Sequence, residues 1–219
     1  MLFSEQGLAQ IERADPKRLL AHLKQIVGER TAGFSNQHLA HVFQYIKKAF
    51  ENLGYEIELH SFPFQRGIFE NIIARKKGAS SEARIIVGAH FDSVLGSPCA
   101  DDNASGVAVL LELARILSKR TWNHTIEFIA FHMEEWNMIG SQAYVKKLKH
   151  EKAGVRGMIS LEMVGYTSDE PKSQRMPPGF GLFYPNVGNF IGIVGNLRSR
   201  SLLHLFKKQM KQTEGLPVE

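Results

Sequence analysis

The sequence predicts an α/β fold of three layers, a mostly parallel mixed central sheet with helices on both faces. Three observations predict it. Residues 84–90 (Ile85, Ile86, Val87) and 125–131 (Ile126, Phe128, Ile129) are short apolar runs of the buried-strand type. Between them, residues 104–119 place Val107, Leu110, Leu111, Ala114 and Leu117 at three- and four-residue steps, the period of an amphipathic helix. A second helical stretch, 138–150, leads into another strand-like run, 155–164. Strand, crossover helix and strand in this order make a β-α-β unit whose two strands run parallel.

Ahead of that unit, residues 35–53 carry Leu39, Val42, Phe43, Ile46, Phe50 and Leu53 on one helical face, and Gly54 follows where a helix stops. Residues 55–62 and 69–75 are dominated by β-branched and aromatic side chains, with Pro63 and Gly67 punctuating between them, which predicts a hairpin at one sheet edge. Residues 166–181 are rich in Pro, Gly and Ser and read as a long loop of the kind that covers sites; Tyr166 at its start is a candidate for shaping a substrate pocket. Residues 190–194 predict one more strand. Residues 199–212, with Leu202, Leu203, Leu205, Phe206 and Met210, predict a last helix.

The chain has 219 residues, 43% of them hydrophobic, enough for a sizeable core in a single domain spanning 1–219. No apolar run approaches the roughly 18 residues of a membrane span, and residues 1–15 lack the basic and apolar regions of a signal peptide, so the expectation is a cytoplasmic protein with no membrane partner. One cysteine, Cys99, leaves no internal disulfide to form. The net charge of +5 is spread over scattered groups such as Arg75-Lys76-Lys77 and Lys207-Lys208, a pattern of solvated surface rather than of a nucleic-acid face.

Chemistry concentrates in four places: Gly88-Ala89-His90-Phe91-Asp92-Ser93, Ala100-Asp101-Asp102-Asn103-Ala104-Ser105-Gly106, Glu134-Glu135 and Glu162. Singly, each has an ordinary role. His90 fits a satisfied core histidine, Asp101, Asp102, Asn103 and Ser105 fit helix caps, and Glu134-Glu135 fits a solvated turn. Together they follow predicted strands or open a helix, which gathers them beyond the carboxyl ends of the strands, where α/β sheets place active sites. Glu162 interrupts the apolar run 158–164, and a buried carboxylate there calls for a compensating cation or donor. A hydrolytic metal site accounts for the set.

In order and spacing these residues resemble the zinc aminopeptidases of metallopeptidase family 28, whose relatives include glutamate carboxypeptidases. The matching motifs are His-x-Asp-Ser, Asp-Asn-x-Ser-Gly, the Glu-Glu pair and Leu-Glu-Met-Val-Gly, and the likeness runs from Val27-Gly28-Glu29-Arg30 to Asn196. The resemblance implies the zinc-exopeptidase fold, shared in outline with phosphorylase-hydrolase-like proteins, and a peptide substrate. It implies two zinc ions bridged by Asp102, with His90 and Glu162 completing one and Glu135 bound to the other. Glu134 is then the general base acting on a metal-bridging water, and Asp92 the group that orients the His90 imidazole. Some relatives carry Asp where Glu162 stands, and both are hard oxygen ligands. A cis Asp102–Asn103 peptide is also implied.

One feature of the family pattern has no counterpart. The last ligand of the second zinc is usually a histidine in a Ser-Asp-His type sequence beyond the last helix, and here only His150 and His204 follow the Glu pair. The expectation is a missing C-terminal segment, at most one well-held ion, low activity, and an uncovered sheet edge prone to self-association. Cys99 is expected near the site as a thiol rather than a ligand, and His132 as a strand-end residue or a hydrogen-bond donor to substrate. Two rivals remain open: a single-zinc glutaminyl cyclase, and a degenerate member acting as a binding domain.

Overall fold

The computed structural model describes residues 12–79, 81–175, 184–213 and 215–219. Helices α1 (Pro16–Ile26), α2 (Asn36–Asn52), α3 (Gly106–Ser118) and α4 (Ile139–Glu151) surround strands β1 (Glu56–Phe64), β2 (Gly67–Lys76), β3 (Ser81–His90), β4 (His124–Phe131) and β5 (Val155–Ser160). The sheet order is β1-β2-β4-β3-β5. β1 pairs with β2 and β2 with β4 antiparallel, whereas β3 lies parallel to both β4 and β5. The result is the mixed sheet anticipated from the sequence, with an antiparallel hairpin at one edge and the β3-α3-β4 crossover at its centre. Contacts divide the chain into two compact units, residues 1–163 and 164–219. Among the described residues no helix is long and apolar enough to cross a membrane.

Alternation along the strands builds two cores. Ile72 and Ala74 of β2, Val87 and Ala89 of β3, and Ile126, Phe128 and Ala130 of β4 pack with Ile26, Val42, Ile46 and Phe50 of α1 and α2 and Val107, Leu110, Leu111 and Ala114 of α3. The opposite face sets Ile73, Ile86, Ile129 and Phe131 against Tyr144 of α4. Central strands covered on both faces read as continuous apolar runs, which is why residues 85–89 and 128–131 are apolar on both faces. Beneath α4, Glu127 is fully buried and accepts a 2.6 Å bond from Arg75 Nε, while Arg84 Nη1 lies 3.3 Å away and Tyr144 donates its hydroxyl.

Several elements depart from the sequence reading. α1 was not anticipated; Asp15 caps it through the Lys17 N–H at 2.9 Å, Pro16 occupies the first turn, and Ile26 is buried. β1 runs through Pro63 to Phe64, because a proline that donates no ladder bond is tolerated in an edge strand, and Gln65–Arg66 makes the turn. β5 stops at Ser160 rather than 164. The Leu161 N–H still reaches Gly88 O at 2.8 Å, but the side-chain amide of Asn103 then takes Leu161 O, also at 2.8 Å, and the chain leaves the sheet through Met163 at φ +46°.

In the second unit, residues 190–194 form no strand but a single parallel bridge, Ile191 to Val218, with Ile193 N–H reaching Glu219 O at 2.8 Å. Residues 166–175 are irregular, as a loop should be, and residues 176–181 of the expected loop lie outside the described residues. Helix α5 (Arg200–Met210) supplies the last helix.

Candidate metal centre

His90 is the last residue of β3, buried to 3% exposure between β4 and β5. Its Nε2 lies 3.0 Å from Asp102 Oδ1, 3.5 Å from Glu162 Oε1 and 3.9 Å from Glu134 Oε2. The potential ligand atoms of His90, Asp102 and Glu162 all lie within 4.8 Å of one another, and so do those of His90, Glu134 and Glu135. Each carboxylate arrives on a different connection: Asp102 before α3, the Glu pair after β4 and Glu162 after β5. A parallel sheet with right-handed crossovers brings such connections to one end.

Local hydrogen bonds aim these groups. The Asp102–Asn103 peptide is cis, as the family resemblance implies. Asn103, fully buried, donates from Nδ2 to Glu162 Oε2 at 3.2 Å as well as to Leu161 O, and its Oδ1 accepts the Gly106 N–H at 3.0 Å. Residue 106 must be glycine: a Cβ there would stand 2.2 Å from Asn103 Oδ1 and 2.8 Å from Leu161 O. The loop after β4 holds Met133, Asn137 and Met138 at φ of +59°, +70° and +59°, each left-handed and costly by about 1 kcal/mol or more for a non-glycine residue. Buried anchors oppose that cost. Asp92 accepts the Glu134 N–H at 3.0 Å and the Glu135 N–H at 3.1 Å. Asn71 accepts the His132 N–H at 3.0 Å and donates to Gly140 O at 2.8 Å.

Asp92 therefore spends its hydrogen bonds on the Glu pair; its Oδ1 stands 3.6 Å from His90 Nδ1, beyond hydrogen-bond reach. His90 Nδ1 and Glu135 Oε1 are buried with no hydrogen-bond partner among the described residues. Burial alone pushes the His90 imidazole down, but Asp92 and Glu162 outweigh it and hold its pKa up at about 11. Burial pushes the Glu134 and Glu135 carboxyls up, and the carboxylates around them add to it. Four oxygen donors, one nitrogen donor and two orphaned buried atoms make a centre short of positive charge. A divalent cation such as zinc, which takes imidazole and carboxylate ligands, fits this donor set.

The other sequence candidates stand apart from the clusters. Cys99 is buried at φ +44°, and neither cluster includes it. His132 is buried in a stack on Phe91 at 4.7 Å, with Phe69 edge-on at 5.3 Å. His150 is exposed in α4, Tyr166 is exposed in the second unit, and His204 on α5 faces Arg200 Nε at 3.4 Å; none of the three belongs to either cluster. Sequence reasoning missed Asn71, Asn103 as an anchor, and Arg30, because hydrogen bonds to backbone leave no periodic trace. It also missed a cavity of about 310 Å³ beside Glu135, walled by Thr31, Phe34, Val94, Leu95 and Trp136.

Residues 71–197, a span that contains every member of both clusters, match peptidase family M28. The chain belongs to this family. Over 222 residues the M28 chain is 33% identical to YfbL, an uncharacterized protein of Escherichia coli (strain K12), covering 94% of this chain and 67% of that protein. It is 29% identical over 195 residues to leucine aminopeptidase 1 of Pyrenophora teres f. teres (strain 0-1), covering 78% of this chain and 50% of the relative. The chain thus spans two-thirds of the first relative and half of the second. Among solved structures, BSAP, a zinc aminopeptidase from Bacillus subtilis, shares the fold with a TM-score of 0.65 at 19% identity, over 74% of this chain and 72% of that one.

Proposed function

We propose that this M28 chain is a zinc-dependent exopeptidase, an aminopeptidase that removes N-terminal residues from peptides. The convergence of His90, Asp102 and Glu162 beside the Glu134–Glu135 pair carries the reading. His90, Asp102 and Glu162 would hold a zinc ion, with Glu135 beside them as a further carboxylate ligand. A zinc ion held there would supply Lewis acidity toward a scissile carbonyl and would lower the pKa of water.

The protein's own groups do the rest. Glu134, fixed through its N–H to Asp92, takes the proton of the attacking water on its carboxylate and hands it to the departing amine. Its upward shift by burial suits a group that must hold and release that proton near neutral pH. Asp92 positions both glutamates at once. Asp102 and Glu162 are half-exposed, so the free amino group of a peptide N-terminus can reach the metal centre, which makes the enzyme an exopeptidase. The apolar cavity beside Glu135 accommodates a substrate side chain.

Three substrates test the reading in the zinc-supplied protein: a leucyl chromogenic amide, its N-acetylated counterpart and an N-terminal glutaminyl peptide. The expected result is hydrolysis of the free-amine substrate alone. Turnover of the blocked amide, or cyclisation of the glutaminyl peptide without hydrolysis, contradicts it.

A further inference from the structure

We propose that Arg30 is a positioning residue for the metal centre, acting through the loop of residues 91–99 that joins His90 to Asp102. Arg30 is fully buried, yet no carboxylate lies within ion-pair distance of it among the described residues. Its guanidinium is instead spent on backbone carbonyls. Nε donates to Phe91 O at 2.8 Å, Nη1 to Ile26 O at 2.9 Å, to Pro98 O at 3.2 Å and to Gly28 O, and Nη2 to Cys99 O at 3.1 Å. The fork thus grips both ends of the 91–99 loop and ties them to the end of α1.

Neighbouring bonds extend the same seam. The Arg30 N–H reaches Ser93 Oγ at 2.7 Å, Thr31 Oγ1 donates to Ser93 O at 2.9 Å, the Gly28 N–H reaches Pro98 O at 3.0 Å, and Glu29 accepts the Gly96 N–H at 2.8 Å. Residues 26–31 are therefore a template along which the 91–99 loop is laid. Only a planar side chain with five N–H donors can reach Phe91 O, Pro98 O and Cys99 O together; a lysine ammonium is a compact point with three. Cys99 O also accepts the Ala104 N–H at 3.4 Å, so the Arg30 contact lies next to the turn that presents Asp102. Burial pushes the guanidinium down, while Asp92, Asp102 and Glu135 are among the charges opposing that. The cation stands close enough to the acidic cluster to feel it.

The consequence for zinc separates two roles. If Arg30 were only a charge near the site, neutralising it would tighten cation binding. If it sets the spacing of His90 and Asp102, removing the fork weakens zinc whatever the charge. This inference rests on the metallopeptidase reading, so the test includes a readout without metal.

Wild type, Arg30→Lys and Arg30→Met are compared in two measurements: amide exchange of the metal-free proteins by mass spectrometry, and zinc affinity by competition with a chromophoric chelator. Exchange in peptides covering 91–104 is expected to rise tenfold or more in both variants, with β2 and β4 peptides unchanged, and zinc affinity to fall at least tenfold, lysine recovering little. Should Arg30→Met fail to fold, Arg30→Lys decides. Unaltered 91–104 exchange in the folded lysine variant overturns the proposal, as does a loosened loop with wild-type or tighter zinc binding. Wild-type protein that takes up no zinc refutes the aminopeptidase reading instead, and exchange alone then decides whether Arg30 holds the loop.

Discussion

His132 is an acid-sensitive weak point behind the metal centre, and His132→Phe should remove it. The ring stacks on Phe91 at 4.7 Å and meets Phe69 edge-on at 5.3 Å, and its Nε2 is buried without a hydrogen-bond partner among the described residues. Burial pulls its pKa from 6.5 to about 4, against the opposing charge of Asp92. The sign follows from proton counting. Between pH 4 and 6.5 the unfolded chain carries the proton and the folded protein does not, so stability is complete above about pH 6.5 and falls as pH drops toward 4. The gap between the two values is equivalent to about 3 kcal/mol when fully developed, and about 2.5 kcal/mol of it is lost by pH 4.5. Phenylalanine keeps the stacking partners and does not titrate. Urea unfolding of metal-free wild type and variant at pH 7.0 and 4.5 measures the difference. The wild type is expected to lose about 2.5 kcal/mol more than the variant over that interval, with the two within about 1 kcal/mol of each other at pH 7. An equal acid loss in both would refute the burial argument.

Two further substitutions probe the centre itself. Glu134→Gln preserves size and the backbone N–H to Asp92 but removes the base, so leucyl-amide turnover should fall by about 100-fold or more while zinc content, read by atomic emission, stays unchanged. Gly106→Ala places a Cβ 2.2 Å from Asn103 Oδ1 and should cost about 1–3 kcal/mol in urea unfolding; because Asn103 also holds Glu162, zinc affinity should fall with it.

Periodicity made most of the fold legible. Residues 35–53, 84–90, 104–119 and 125–131 resolve into α2, β3, α3 and β4 with ends shifted by a few residues, because buried apolar faces dictate these elements. α1 carries a legible signal too: Asp15-Pro16 is a helix start, and Leu19, Leu23 and Ile26 follow at helical steps. The end of β5 was not legible. Residues 158–164 look like one apolar strand, and only the competition of Asn103 for Leu161 O shows why the sheet is abandoned in time to present Glu162. At the site, the acidic residues and His90 stand out as motifs because metal ligands need particular atoms. Arg30 and Asn71 do not, since bonds to carbonyls 61 or 69 residues away carry no spacing rule.

Zinc uptake by the metal-free chain tests the central claim most directly. Titrated at neutral pH, with leucyl-amide hydrolysis followed in the same samples, the protein is expected to bind zinc stoichiometrically, to lose that binding in His90→Ala and in Asp102→Ala, and to release leucine only in the zinc-loaded state. Absence of stoichiometric zinc, or hydrolysis that persists undiminished in His90→Ala, would contradict a metal centre built on His90, Asp102, Glu135 and Glu162.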